Sequence, residues 1–220
     1  MLEIIRIHNE LLGTYGDRGN AEVLKFRGRF LGITVDIADV SYLDRIPTDG
    51  DIYLLGGAED AAQILSIEAF HRDLETINLV IERGAVFLAV CAGFQLLGES
   101  FPASGNRVIS GLNLLPIITE SASPRSVGEL ISESTLPIGA LTGFENHGGQ
   151  TKFTDRLQPL GIVQKGIGNH ASEQSDGAVT EQIIATYMHG PALVRNPGLA
   201  DYVLSRKLGK LESIESKDEI

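Results

Sequence analysis

Residues 86–98, Val86-Phe87-Leu88-Ala89-Val90-Cys91-Ala92-Gly93-Phe94-Gln95-Leu96-Leu97-Gly98, decide how the rest of the chain is read. An apolar run enters a cysteine, and helix formers follow at once. Such a run reads as a strand buried on both faces, as in a parallel sheet covered by helices. A strand that breaks at a nucleophile and turns directly into a helix is the elbow layout, and its tight turn requires a small residue two places on. Gly93 meets that requirement. Unpaired N–H groups at the helix start favour a thiolate, and the Ala92 amide is placed to donate to an oxyanion. The plainer reading is a buried cysteine that merely ends a core strand, the usual fate of a lone cysteine.

Toward the N-terminus, residues 2–8, 33–40 and 51–55 read as strands. Residues 20–30 and 61–83 read as helices, the second stopped by Gly84. The alternation predicts an α/β fold, with a parallel sheet flanked by helices. Past residue 104 the runs shorten to 111–118, 127–133 and 139–144, separated by Gly, Pro, Ser and Asn, and predict antiparallel strands in a β-rich second half. Residues 155–177, around Gly166-Ile167-Gly168-Asn169, read as a hairpin or mobile loop. A last strand is expected at 182–187 and a closing helix at 196–208. No repeat interrupts the chain, so residues 1–211 read as a single domain and the polar 212–220 as a disordered tail.

Open parallel sheets bind ligands along the carboxyl ends of their strands. Gly56-Gly57 ends the strand at 51–55, and Gly57 is the expected second oxyanion donor, because glycine lets the backbone approach a reacting atom. A base for Cys91 must come from a distant strand. Of the five histidines, His189 has the best setting, at the end of a strand 98 positions beyond the cysteine. His147, in Gly143-Phe144-Glu145-Asn146-His147-Gly148-Gly149, is its rival, whereas His8, His71 and His170 suit packed or solvated roles.

Composition excludes several classes. The 220 residues are 43% hydrophobic and 21% charged, ordinary for a soluble protein. A formal charge of −11 repels phosphate backbones and anionic surfaces, so neither nucleic acid nor a lipid surface is an expected partner. No apolar run approaches the ~20 residues of a membrane span, and the N-terminus has no leader pattern. A single cysteine forms no internal disulfide and suits the reducing cytoplasm. No H-E-x-x-H pair or cysteine-rich cluster suggests a metal, no phosphate-binding glycine loop suggests a nucleotide, and no cofactor is expected.

The Gly-Gly turn, the cysteine elbow and the late strand-end histidine together resemble class I glutamine amidotransferases, which implies a flavodoxin-like sheet over most of the chain. Cobyric acid synthase-type members are most similar, because they too carry a Cys–His pair without the usual following acid. Pro191 stands where that acid would be. Another residue or a partner protein must then orient His189. Many class I members also have glycine where this chain has Ala89 and Ala92; both are small enough for the elbow. The segments Ile7-His8-Asn9-Glu10-Leu11-Leu12-Gly13-Thr14-Tyr15-Gly16-Asp17-Arg18-Gly19-Asn20 and 143–149 are similar to glutaminase subunits of lipid II isoglutaminyl synthases. That resemblance implies hydrolysis of L-glutamine through a Cys91 thioester. It also implies a heterodimer with a Mur-ligase-like, ATP-dependent amide ligase that amidates D-glutamate of the lipid II stem peptide in peptidoglycan synthesis. Arg125 is implied as the clamp for the α-carboxylate of glutamine, and Gln95 as a second substrate contact. The alternatives are a glutaminase serving another ligase, as in cobyric acid synthesis, a cysteine hydrolase of related architecture, and a binding subunit in which Cys91 is inert.

Overall fold

The apolar run 86–90 is a strand buried at every position, and its cysteine does begin a helix. The structure, a computed structural model, describes residues 1–14, 16–103 and 107–209. In chain order the first elements are β1 (Leu2–Ile7), α1 (Gly19–Phe30), β2 (Val35–Val40), β3 (Ile52–Leu55), α2 (Asp60–Arg72), α3 (Leu74–Glu82), β4 (Val86–Val90) and α4 (Ala92–Leu96). Then come β5 (Ser100–Ala103), β6 (Arg107–Ser110), β7 (Ile117–Ser134), β8 (Ala140–Phe153), β9 (Gly161–Lys165), β10 (Ser175–Asp176), β11 (Ala178–Val179), β12 (Ile183–Thr186), α5 (Ala192–Arg195) and α6 (Pro197–Leu208).

One sheet has the order β11-β12-β4-β3-β1-β2 and is parallel except for the β11–β12 pair. Its parallel strands follow the flavodoxin-like order, the last place being filled by β12 from the far end of the chain. Buried Tyr53 and Phe87 stack at 5.0 Å across β3 and β4 and help fix that register. The second sheet, β10-β9-β7-β5-β6 with β8 on β7, is mostly antiparallel and carries the β-rich half.

Three expectations need correction. The helix expected over 61–83 is two helices broken at Asp73, a buried residue whose carboxylate accepts from Arg45 at 2.7 Å and Arg72 at 3.1 Å. Those tertiary contacts override a continuous apolar period. The strand expected at 111–118 starts only at Ile117. Residues 145–150, rich in turn residues, lie inside the long β7–β8 ladder, because cross-strand hydrogen bonds outweigh local preference, and the ladder continues past an irregularity at 122–125. Residues 155–177 do form a hairpin, β9 pairing antiparallel with β10, and its end is tied down by Asn169, which donates to the Gly177 carbonyl at 2.8 Å and accepts from its N–H at 2.7 Å. The tail expected to be disordered lies outside the described residues.

Candidate active site

The carboxyl ends of β1, β3, β4 and β12 converge, and each delivers one part of the site. The Cys91 N–H donates to the Thr186 carbonyl at 2.9 Å, setting the tip of β4 against β12. Cys91 has φ 51° and ψ −103°, which no L-residue adopts without strain, and it is only 6% exposed. A Cβ on Gly93 would lie 2.7 Å from Leu55 Cβ and 2.8 Å from the Leu55 carbonyl oxygen, so the elbow closes against β3 only with glycine there.

His189 follows β12 and is pinned by a two-way backbone pair with Phe144, its N–H donating at 2.8 Å and its carbonyl accepting at 3.2 Å. Its Nδ1 meets Asp17 Oδ2 at 2.9 Å and Oδ1 at 3.2 Å, both side chains being about 1% exposed. Burial alone would lower the proton affinity of the imidazole, but the Asp17 hydrogen bond, then the hydrogen bond and charge of Cys91, outweigh it and raise the pKa to about 10. Cys91, His189 and Asp17 thus stand in line within one chain, a thiol, an imidazole and a carboxylate in the order that a nucleophile, a base and an orienting acid would need.

With Pro191 where the usual acid would be, the sequence leaves the group that faces His189 to another residue or a partner, and does not single out Asp17, which stands there. Pro191 packs on the loop that carries Asp17: a Cβ on Gly19 would lie 2.5 Å from the Pro191 ring. The available signal was an acid between β1 and α1, in the loop crossing the carboxyl edge of the sheet.

The expectation for Gly57 is corrected. Its N–H donates to Asp17 Oδ2 at 2.8 Å, and the carbonyl of the same peptide unit, on Gly56, accepts from the Gly93 N–H at 3.1 Å. That peptide is therefore held at both ends and is turned away from any oxyanion. Gly57 is required sterically, since a Cβ there would lie 2.6 Å from His189 Cε1. The next peptide points the other way: the Gly57 carbonyl accepts from the Thr14 N–H at 3.1 Å, which directs the N–H of Ala58 oppositely across a trans peptide.

A cavity of about 270 Å³ opens beside Cys91, lined among others by Ala58, Glu59, Asp60, Gln63, Gln95, Arg125 and His147. Gln95 is oriented within it: its Oε1 accepts from Gln63 Nε2 and its Nε2 donates to the Tyr187 hydroxyl, both at 3.1 Å. Tyr187 continues to Thr151 at 2.6 Å and Thr151 to Thr119 at 2.7 Å, a buried polar chain behind the pocket wall. Burial pushes the Tyr187 hydroxyl pKa far above the usual phenol range, so it stays neutral. His147 lines the cavity, but its Nδ1 faces the Gly149 carbonyl at 2.7 Å and its Nε2 faces Glu145 at 3.3 Å, leaving neither nitrogen for proton transfer from Cys91. Burial opposes ionisation of Glu145, but hydrogen bonds from His147, Gly168 and Ile167 outweigh it and hold its carboxyl below the ordinary range. Arg125 reaches the rim of the cavity, its guanidinium against Asn146. Among the described residues no group of three or more His, Cys, Asp or Glu side chains is arranged to hold a metal, and no helix is long and apolar enough to cross a membrane.

A strained cysteine at an elbow, a histidine from the last parallel strand and a small polar pocket fit the architecture of a class I glutamine amidotransferase. The chain belongs to the CobB/CobQ-like glutamine amidotransferase domain family, which it matches over residues 3–197. It is therefore an enzyme of the glutaminase kind. It is 32% identical over 206 residues to the lipid II isoglutaminyl synthase (glutamine-hydrolyzing) subunit GatD of Staphylococcus aureus, covering 93% of this chain and 84% of that protein. The subunit of the same name from Streptococcus pneumoniae is 33% identical over 211 residues, covering 95% of this chain and 81% of that protein. In fold it is similar to the PurLQS structure from Thermotoga maritima, with a TM-score of 0.66 at 15% identity over 93% of this chain and 98% of that one.

Proposed function

We propose that this chain is the glutaminase subunit of a lipid II-amidating ligase. It hydrolyses L-glutamine through a Cys91 thioester and passes ammonia to a Mur-ligase-like, ATP-dependent partner that amidates D-glutamate of the stem peptide. The observation that carries the reading is the buried Cys91–His189–Asp17 set at the wall of an amino-acid-sized cavity.

In this scheme the proton of the Cys91 thiol already resides on His189 at neutral pH, and the Cys91 Sγ thiolate attacks the side-chain amide carbon of glutamine. The resulting oxyanion is held by the N–H groups of Ala92 and Ala58, which are fixed in place before reaction. Collapse breaks the C–N bond, the imidazolium returns its proton to the departing nitrogen, and ammonia leaves a γ-glutamyl thioester. Water, deprotonated by His189, attacks the thioester through a second oxyanion; Sγ departs and glutamate is released. Arg125 pairs with the α-carboxylate of glutamine, while the acids Glu59 and Asp60 in the cavity lining suit its α-ammonium. Ammonia in neutral water is mostly the non-nucleophilic ammonium ion, which favours direct transfer within a heterodimer over free diffusion. The similarity in sequence to the two GatD subunits supports the lipid II assignment. The proposed work alongside an ATP-dependent ligase implies a cytoplasmic location.

The test is glutamate formation from glutamine by the purified chain, alone and with a co-expressed Mur-ligase-like protein, beside Cys91→Ala. The reading expects turnover raised by the partner and abolished in the variant. Turnover that survives in Cys91→Ala, or no turnover in either preparation, overturns it.

A further inference from the structure

Arg125 owes its place at the cavity to an irregularity in the β7–β8 ladder. The strands pair as far as Ser121 with Gly149 and resume at Ser126 with His147, so residues 122–125 stand opposite the single Gly148. A bulge of this kind re-aims a side chain out of the regular alternation. At the bulge Arg125 Nε donates to Asn146 Oδ1 at 2.6 Å, and Nη2 donates to the Asn146 backbone carbonyl at 3.0 Å. One residue thus grips one whole edge of the guanidinium with its side chain and its main chain. A guanidinium has two forked edges able to bind paired oxygens. With the Nε edge taken, the other, bearing Nη1, lies beside Gly148, where a Cβ would stand 3.5 Å from Nη1. Arg125 and Gly148 both line the cavity next to Cys91.

We infer that Asn146 is a positioning residue for substrate recognition: it holds Arg125 by one edge so that the other meets the α-carboxylate of glutamine. The inference rests on the proposed role of Arg125 as that clamp. Without Asn146 an exposed arginine samples many rotamers, and binding glutamine must first order it. A neutral partner matters as much as the geometry. An aspartate at 146 would keep both hydrogen bonds but offset the positive charge that the substrate carboxylate needs.

The test is a double-mutant cycle read as KM and kcat for glutamine hydrolysis by the full chain with its co-expressed ligase: wild type, Asn146→Ala, Asn146→Asp, Arg125→Ala and Asn146→Ala with Arg125→Ala. Asn146→Ala is expected to raise KM about five- to thirtyfold with kcat within about twofold, the pattern of lost uniform binding. Asn146→Asp raises KM at least as far, and adding Asn146→Ala to Arg125→Ala changes nothing further. If Arg125→Ala raises KM but Asn146→Ala does not, the inference falls while the clamp stands. An Asn146→Ala effect that persists undiminished in the Arg125→Ala background, or that falls on kcat and melting temperature together, also overturns it. If Arg125→Ala leaves KM unchanged, the clamp itself is wrong and the inference falls with it.

Discussion

Replacing Asp17 by asparagine tests the site at its least expected point. The carboxylate accepts from His189 Nδ1 at 2.9 Å and from the Gly57 N–H at 2.8 Å through the same oxygen. Asparagine keeps one acceptor for these two donors and turns an NH2 group toward one of them. If the amide nitrogen faces the imidazole, His189 is driven to the tautomer that carries its proton on Nε2, where it can no longer take one from Cys91. The same change removes the largest of the influences that raise the His189 pKa to about 10. General base catalysis contributes roughly 10²- to 10⁴-fold, about 3–5 kcal/mol of barrier, and kcat in Asp17→Asn is expected to fall within that span with KM little changed. Alkylation of Cys91 by iodoacetamide, followed against pH, should slow at neutral pH and recover only at higher pH. Asp17→Ala should also lose stability, by roughly 1–3 kcal/mol for each donor left buried and unpaired. Glutamate release with saturating partner reads the first effect and urea unfolding the last. An Asp17→Asn enzyme within about threefold of wild-type kcat, with an unchanged alkylation profile, would show that Asp17 does not orient the base.

Ala58→Pro deletes the N–H proposed to face the oxyanion and should cut kcat about 10²- to 10³-fold, whereas Ala58→Ser, which keeps the N–H, should retain most activity in the same glutamate assay. At position 91 the usual order of stabilities should invert: Cys91→Gly is expected to exceed Cys91→Ala by about 1–2 kcal/mol in chemical denaturation, because only glycine tolerates φ 51° freely. Two buried groups should give opposing pH dependences. Burial lowers His8 from 6.5 to about 4, so the stability it contributes is lost as pH falls through that window, by about 3 kcal/mol at most. Burial raises Asp176 from 3.8 to about 6, so its contribution is lost as pH rises through nearly the same range. Wild-type stability between pH 4 and 6 should therefore be nearly flat. His8→Gln should unmask a decline as pH rises, and Asp176→Asn a decline on acidification, both measured by urea unfolding at each pH.

The parts of this molecule that are legible in the sequence are those whose physics is local. An apolar strand that breaks at cysteine with glycine two places on announces its own turn, and Gly93 is held by Leu55 as the elbow requires. A histidine ending an apolar run was likewise readable as a strand-tip residue. Asp17 was not, because its contact with His189 spans 172 positions and leaves no periodicity or spacing in the chain. Gly57 shows a subtler limit. Its place at the end of β3 could be read, but the direction of its N–H depends on Asp17 and Gly93, two partners from other loops. The break at Asp73 and the strand through 145–150 depend equally on distant hydrogen bonds.

β12 lies between β4 and β11, so the strand that delivers His189 is an interior strand supplied late in the chain. Cys91 and His189 therefore belong to different stages of synthesis. While β1 to β4 emerge from the ribosome, Cys91 has its turn but no imidazole beside it. The thiol gains its partner only when residues 183–189 dock, and the same event completes the parallel sheet. Because that closure joins segments so far apart along the chain, it is expected to be a late and slow step of folding. A chain that ends before β12 is therefore expected to lack the Cys91–His189 pairing, and any reactivity that depends on it.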